Sequence, residues 1–171
     1  MTPSLPTRTF AWIETDDEVR GLFNMSITIR DRVPAIQVPA YSPGRRNARI
    51  TGPADHRGRW VVLGFHRAGD ALDCAELQAL GDLGAAFTGT EPVVLAASTE
   101  TWLQQAHRYT DHPSIQGAVD HVLADSQHRL VAAFGIVEPD GTTRPSTFVI
   151  DPEGVIRHAM EGDPLSLARA A

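Results

Sequence analysis

Short apolar runs alternate with stretches of helical spacing through the middle of the chain. Trp60–Phe65 is a run of apolar residues too short for a buried helix, so it predicts a buried strand. Leu77, Leu80, Leu83 and Phe87 then recur at spacings of three and four, which marks one face of a helix. Pro92–Ala97 predicts a second buried strand. Ser98 or Thr99 predicts the N-cap of a helix running to about Tyr109, with Glu100 in its first turn, where the helix dipole favours a carboxylate. His121–Ala124 predicts a third, short strand, and Gln127–Phe134 a helix with Leu130, Val131 and Phe134 inward. Thr147–Ile150 and Val155–Ala159 flank the turn sequence Asp151-Pro152-Glu153-Gly154, the pattern of a hairpin.

Ahead of Trp60 the pattern weakens. Residues 26–41 alternate over short stretches interrupted by Pro34 and Pro39, and read as edge or extended segments. Residues 42–59 are rich in Gly, Pro and Arg and read as a loop with a short strand at 48–51. Residues 1–25 carry Phe10, Trp12, Ile13, Leu22 and Phe23 and read as an N-terminal extension that docks on the body or on a partner. Residues 26–171 then form a single domain ending in a short helix. The order strand-helix-strand-helix demands a parallel sheet with right-handed crossovers, and the closing hairpin adds an antiparallel edge. The expected class is α/β, a mixed sheet flanked by helices.

Composition narrows the function. A chain of 171 residues can bury a real core, and its 42% apolar content is that of a globular protein. No apolar run approaches the ~20 residues of a bilayer span. No basic segment followed by an apolar one opens the chain, so a cytoplasmic location is expected. A net charge of −6 argues against a nucleic-acid-binding surface. All fifteen basic residues are arginine, which excludes lysine Schiff-base chemistry and suggests a GC-rich, bacterial genome. One cysteine, Cys74, forbids an internal disulfide. No His-x-x-His or Cys-x-x-Cys pair offers metal-ligand spacing, so neither a metal nor another cofactor is expected. His56, His107, His112, His121 and His128 read as loop or helix-surface residues. His66 is different, because it ends a core strand where α/β sheets place ligands.

Five stretches carry a family resemblance: "DRVPAIQVPAY", "RGRWVVLGFHRA", "VVLAAST", "LADSQHRLVAAFGI" and "RPSTFVIDPEGVIRHAM". In order and spacing they resemble the peroxiredoxins, of the alkyl hydroperoxide reductase/thiol-specific antioxidant type, over roughly residues 30–162. The resemblance implies a thioredoxin-like fold and a thiol peroxidase that is part of an antioxidant system. The family's motif, Pro-x-x-x-Thr-x-x-Cys, places its cysteine on Cys74. Its proline then falls on Arg67 and its threonine on Ala71, both departures. A register taken from the helix would instead put Asp73 at the cysteine position. Phe65-His66-Arg67-Ala68 also resembles the branch beginning Phe-Tyr-Arg-Gly, with His66 for the tyrosine and Ala71 for the first cysteine of a pair. The family's thiol-activating arginine falls near Arg144, although its usual place holds Pro145, which resembles the cis-proline of thioredoxin relatives.

The resemblance implies Cys74 as nucleophile, with Arg144, Arg67 and His66 as further catalytic candidates. Asp70, Ala71, Asp73, Pro145 and Thr147 are the substrate-binding candidates. A thiol attacks a peroxide only as thiolate, and a helix N-terminus favours that anion. Asp70 and Asp73 oppose it unless they face solvent, and Asp73 has an alternative use as a helix cap. Oxidised Cys74 would be a sulfenic acid that only an external thiol could resolve, given no second cysteine. A homodimer is expected, with the N-terminal extension at the contact. Three other readings stay open. Cys74 could be a small apolar residue packing the helix start. The pocket around Cys74, His66 and Arg67 could act on another small molecule of specialised metabolism, or the domain could bind a ligand without catalysis.

Overall fold

The apolar runs at the centre of the chain pair side by side, since only neighbouring strands can satisfy their backbone groups away from water. A computed structural model describes residues 29–67 and 74–162, and of Cys74 and Ala75 the backbone alone. The strands are β1 (Val38–Ser42), β2 (Asn47–Thr51), β3 (Val61–Phe65), β4 (Val93–Ser98), β5 (His121–Ala124), β6 (Ser146–Ile150) and β7 (Ile156–Glu161). The helices are α1 (Cys74–Ala85), α2 (Trp102–Asp111) and α3 (Arg129–Phe134). The strands form one seven-stranded sheet in the order β2-β1-β5-β4-β3-β6-β7. β3, β4 and β5 are parallel, while β6, β7, β1 and β2 join antiparallel. The expected N-terminal extension and terminal helix lie outside the described residues. No described helix is long and apolar enough to cross a membrane.

Alternation along the strands builds two cores, one on each face. Leu63, Phe65, Leu95, Leu123 and Phe148 face α3, where Phe134 meets Phe148 at 4.7 Å and Phe65 at 5.1 Å between ring centres. Val62, Val94, Val122 and Val149 face the other way, under Leu77, Leu80 and Leu83 of α1 and Tyr109 of α2. The expected helical stripe is therefore the buried stripe. Gly64 lets α1 close on the sheet, because a Cβ there would stand 2.9 Å from both Leu80 methyl carbons.

Four local expectations are corrected. The cap of α2 is Thr101, whose hydroxyl accepts from Gln104 N–H while the Gln104 side chain accepts from Thr101 N–H. Glu100 precedes that cap and turns inward instead of lying in the first turn. α3 starts at Arg129, two residues later than expected, because His128 takes a left-handed conformation (φ 57°). Buried Asp125 caps it from upstream, accepting from Arg129 N–H and Val131 N–H at 2.9 Å each. β1 is an interior strand, between β2 and β5; it tolerates Pro39 because it pairs with β5 only through Ala40 and Tyr41. His56 and His121 are partly buried and stacked, with ring centres 5.7 Å apart, rather than simple surface residues.

Candidate active site

β3 and β4 end side by side, and the backbone carries the ladder one step further, with His66 N–H donating to the Ala97 carbonyl at 3.0 Å. His66 is thereby held at the carboxyl end of the parallel strands, where the chain leaves the sheet. Its side chain is buried, at 8% exposure, and shares a small cavity with Glu76, Leu77 and Leu80 of α1. Arg67 next to it is exposed, and its Nε donates to the Thr143 carbonyl at 3.4 Å. β6 runs antiparallel to β3, so Ser146 pairs with Phe65 and Thr147 with Gly64. That pairing brings the 143–147 segment to His66 and Arg67.

Thr147 lies on the α1 side of the sheet, the side shared by its neighbour Val149. Its side chain is fully buried, and Oγ1 has no hydrogen-bond partner among the described residues. A buried hydroxyl left without a partner costs stability, of order 1–3 kcal/mol, so such a group in the strand beside His66 stands out. Arg144 is fixed by a short excursion in which Val137 bridges Thr143. Its Nε lies 2.9 Å from Glu138 and 3.4 Å from Glu161. The hydrogen bond from Arg144 is the main reason the Glu138 carboxyl is held below its ordinary value, with lesser pulls from the charges of Arg144 and Arg67. Arg67 and Arg144 thus share one electrostatic neighbourhood. The Arg144–Pro145 peptide is trans, correcting the cis-proline expectation; no described residue has a cis bond.

A buried polar cluster that the sequence did not reveal stands beside His66. Arg108 of α2 grips both oxygens of Glu100, at 2.7 and 2.5 Å. Ser98 donates to Glu100 at 3.1 Å and accepts from Gln105, which also reaches the Leu123 carbonyl. Burial alone would push the Glu100 carboxyl up. The Arg108 hydrogen bond and charge, Ser98 and the charge of His66 outweigh it and hold the carboxyl low. Glu100 is therefore an anion within electrostatic reach of His66. Eight positions separate Glu100 and Arg108, more than the three or four that bring side chains into contact along a helix, and the inward turn before Thr101 brings them together.

The other site residues divide in two. Asp70, Ala71 and Asp73 lie outside the described residues. Cys74 is the first residue of α1, a helix of 12 residues, so its backbone stands at the positive end of that dipole. Pro145 is half-buried between Arg144 and β6.

The comparisons with known proteins bear on this arrangement. The model of the AhpC/TSA family matches residues 29–159. The chain belongs to this family. Peroxiredoxin TSA1-B of Candida albicans is 32% identical over 142 residues, 76% of this chain and 71% of that protein. Peroxiredoxin tpx1 of Schizosaccharomyces pombe is 28% identical over 117 residues, 64% of this chain and 60% of its own length. The solved structure of Enterococcus faecalis AhpC matches with a TM-score of 0.68 at 21% identity, covering 83% of this chain and 89% of that one. The mixed sheet with flanking helices is therefore the thioredoxin-like fold in its peroxiredoxin form. The expected resemblance holds across β1 to β7.

Proposed function

We propose that this AhpC/TSA-family chain is a one-cysteine thiol peroxidase that reduces hydrogen peroxide or organic hydroperoxides. The observation that carries the reading is the position of Cys74. The chain's only cysteine is the first residue of α1, the first described helix after β3, in a family whose named relatives are peroxiredoxins. The Cys74 thiolate attacks one peroxide oxygen, the O–O bond breaks, and the leaving hydroxide or alkoxide takes up a proton. Sulfur is oxidised to the sulfenic acid and the peroxide is reduced to water or alcohol. A thiol from outside the chain attacks that sulfur, releases water and leaves a mixed disulfide, which a second thiol reduces. Arg67 and Arg144 supply positive charge at this end of the sheet. The helix dipole adds to it, against Asp70 and Asp73. In this reading His66, with the Glu100 charge nearby, gives the leaving oxygen its proton, and the Thr147 hydroxyl takes over the hydrogen bond that Ala71 has lost. The enzyme works as a cytoplasmic homodimer.

Mass spectrometry after a brief exposure to peroxide and a sulfenate-trapping dione tests the assignment. The adduct is expected on Cys74 in the wild type and nowhere in Cys74→Ser. Absence of an adduct at millimolar peroxide would remove the peroxidase reading. The second reading is that the same pocket transforms or binds another small molecule. Arg67 and Ala71 at the motif's proline and threonine positions favour it, since both departures remove groups that serve peroxide.

A further inference from the structure

A second polar site lies at the far end of the sheet from His66, where β4 and β5 begin. A cleft of about 460 Å³ opens between the tip of the β1–β2 hairpin, the short turn of helix at Pro53–His56, and the segment entering β5. That is large enough for a small organic ligand. Arg45 from the hairpin turn, Arg49 from β2 and Arg59 from the segment entering β3 line it. Among the described residues none of these arginines forms an ion pair. Arg59 is steadied by a neutral partner, donating to the Glu91 carbonyl from Nε and Nη2 at 3.3 and 2.9 Å.

The two carboxylates of the cleft have other work. Asp55 Oδ2 accepts from Gly52 N–H, Gln37 and Thr51. Asp120 Oδ2 accepts from Val94 N–H at 2.8 Å. Three guanidinium groups are therefore opposed by two carboxylates already held by donors, in a chain that is acidic as a whole. The back of the cleft is the stacked pair His56 and His121. Buried Ser42 lies 2.6 Å from His121 Nδ1. A hydroxyl donating there puts the ring's own proton on Nε2, as a donor. Burial, then the charges of Arg49 and His56, keep His121 neutral; Asp120 pulls the other way, and Arg45 adds a smaller push towards the neutral form.

We propose that this cleft binds a tetrahedral oxyanion, the phosphate group of a small metabolite, held by Arg45, Arg49 and Arg59 with the His121 ring as a hydrogen-bond donor. Guanidinium forks suit phosphate because they offer parallel N–H donors to two oxygens. The aromatic faces of His56 and His121 and the remaining volume accommodate the organic part. The site stands apart from the thiol chemistry and does not depend on it.

Histidine ring NMR on the full chain tests it, with sulfate and glycerol 3-phosphate as probes and sodium chloride at equal ionic strength as control. Sulfate stays dianionic through the titration of His121. It is expected to shift the His56 and His121 signals saturably and to raise the His121 midpoint. Tighter binding of glycerol 3-phosphate than of sulfate identifies a phosphorylated metabolite; equal binding identifies the free anion. Arg49→Ala and Arg45→Ala are each expected to weaken sulfate binding about tenfold. Equal shifts from chloride, or wild-type sulfate binding in both arginine variants, would overturn the proposal.

Discussion

Thr147 shows how one residue can separate stability from function. It is fully buried with a hydroxyl that has no partner among the described residues. Valine has the same shape without the polar atom. Thr147→Val is therefore expected to raise stability, by about 1 kcal/mol in a denaturant titration. If the hydroxyl serves the reacting oxygen, the same variant loses peroxidase kcat/KM, by about tenfold. A more stable variant with unchanged kcat/KM would remove Thr147 from the site. His66 and Arg67 were visible in the sequence because they follow an apolar strand. Glu100 was misplaced, since Ser98, Thr99, Glu100 and Thr101 can all begin a helix and only packing selects Thr101. The partners of Glu100 come from α2 and from the end of β4, contacts that local spacing does not encode.

At the scale of elements, the apolar runs place the ends of β3 to β7 within two residues. Short strands buried on both faces have few alternatives. The ends of helices were less legible. α3 is capped by Asp125 across a left-handed His128, a device spread over seven residues, from Asp125 to Val131. α1 offers a sharp test of packing against propensity. Gly81 lies in its interior, where alanine would ordinarily gain about 1 kcal/mol. A Cβ at Gly81 would stand 2.6 Å from the Ala118 carbonyl oxygen, which is backbone and cannot swing away. Overpacking of this kind costs about 1–3 kcal/mol, so the clash wins. Gly81→Ala is expected to lower the urea midpoint, and a raised midpoint would show that the 113–119 segment moves aside freely.

For the whole molecule, acid stability should follow His121. Its folded pKa falls from 6.5 to about 4, first through burial and then through Arg49, His56 and Arg45. Between those values the unfolded chain binds a proton that the fold does not, so stability falls as pH drops from 6.5 towards 4. The melting temperature is expected to decline over that window, and less steeply in His121→Gln. An equal decline in both would assign the effect elsewhere. The Asp151 carboxyl adds a loss at lower pH still. Burial raises it, but the Val155 N–H, Arg157 and Glu153 N–H outweigh burial and hold it low. The order of strands was readable only up to the parallel centre. The hairpin β1–β2, in which β1 joins β5 and β2 forms the edge of the sheet, depends on contacts across some eighty residues, as between Tyr41 and Val122. Family membership fixes the fold over residues 29–159, while Arg67 and Ala71, at the motif's proline and threonine positions, make the chemistry of Cys74 the deciding question. Stopped-flow mixing of the reduced protein with hydrogen peroxide reads that chemistry out. A rapid phase consuming one peroxide per chain is expected in the wild type and none in Cys74→Ser. No rapid phase in the wild type at millimolar peroxide, or the same phase in Cys74→Ser, would contradict the peroxidase reading.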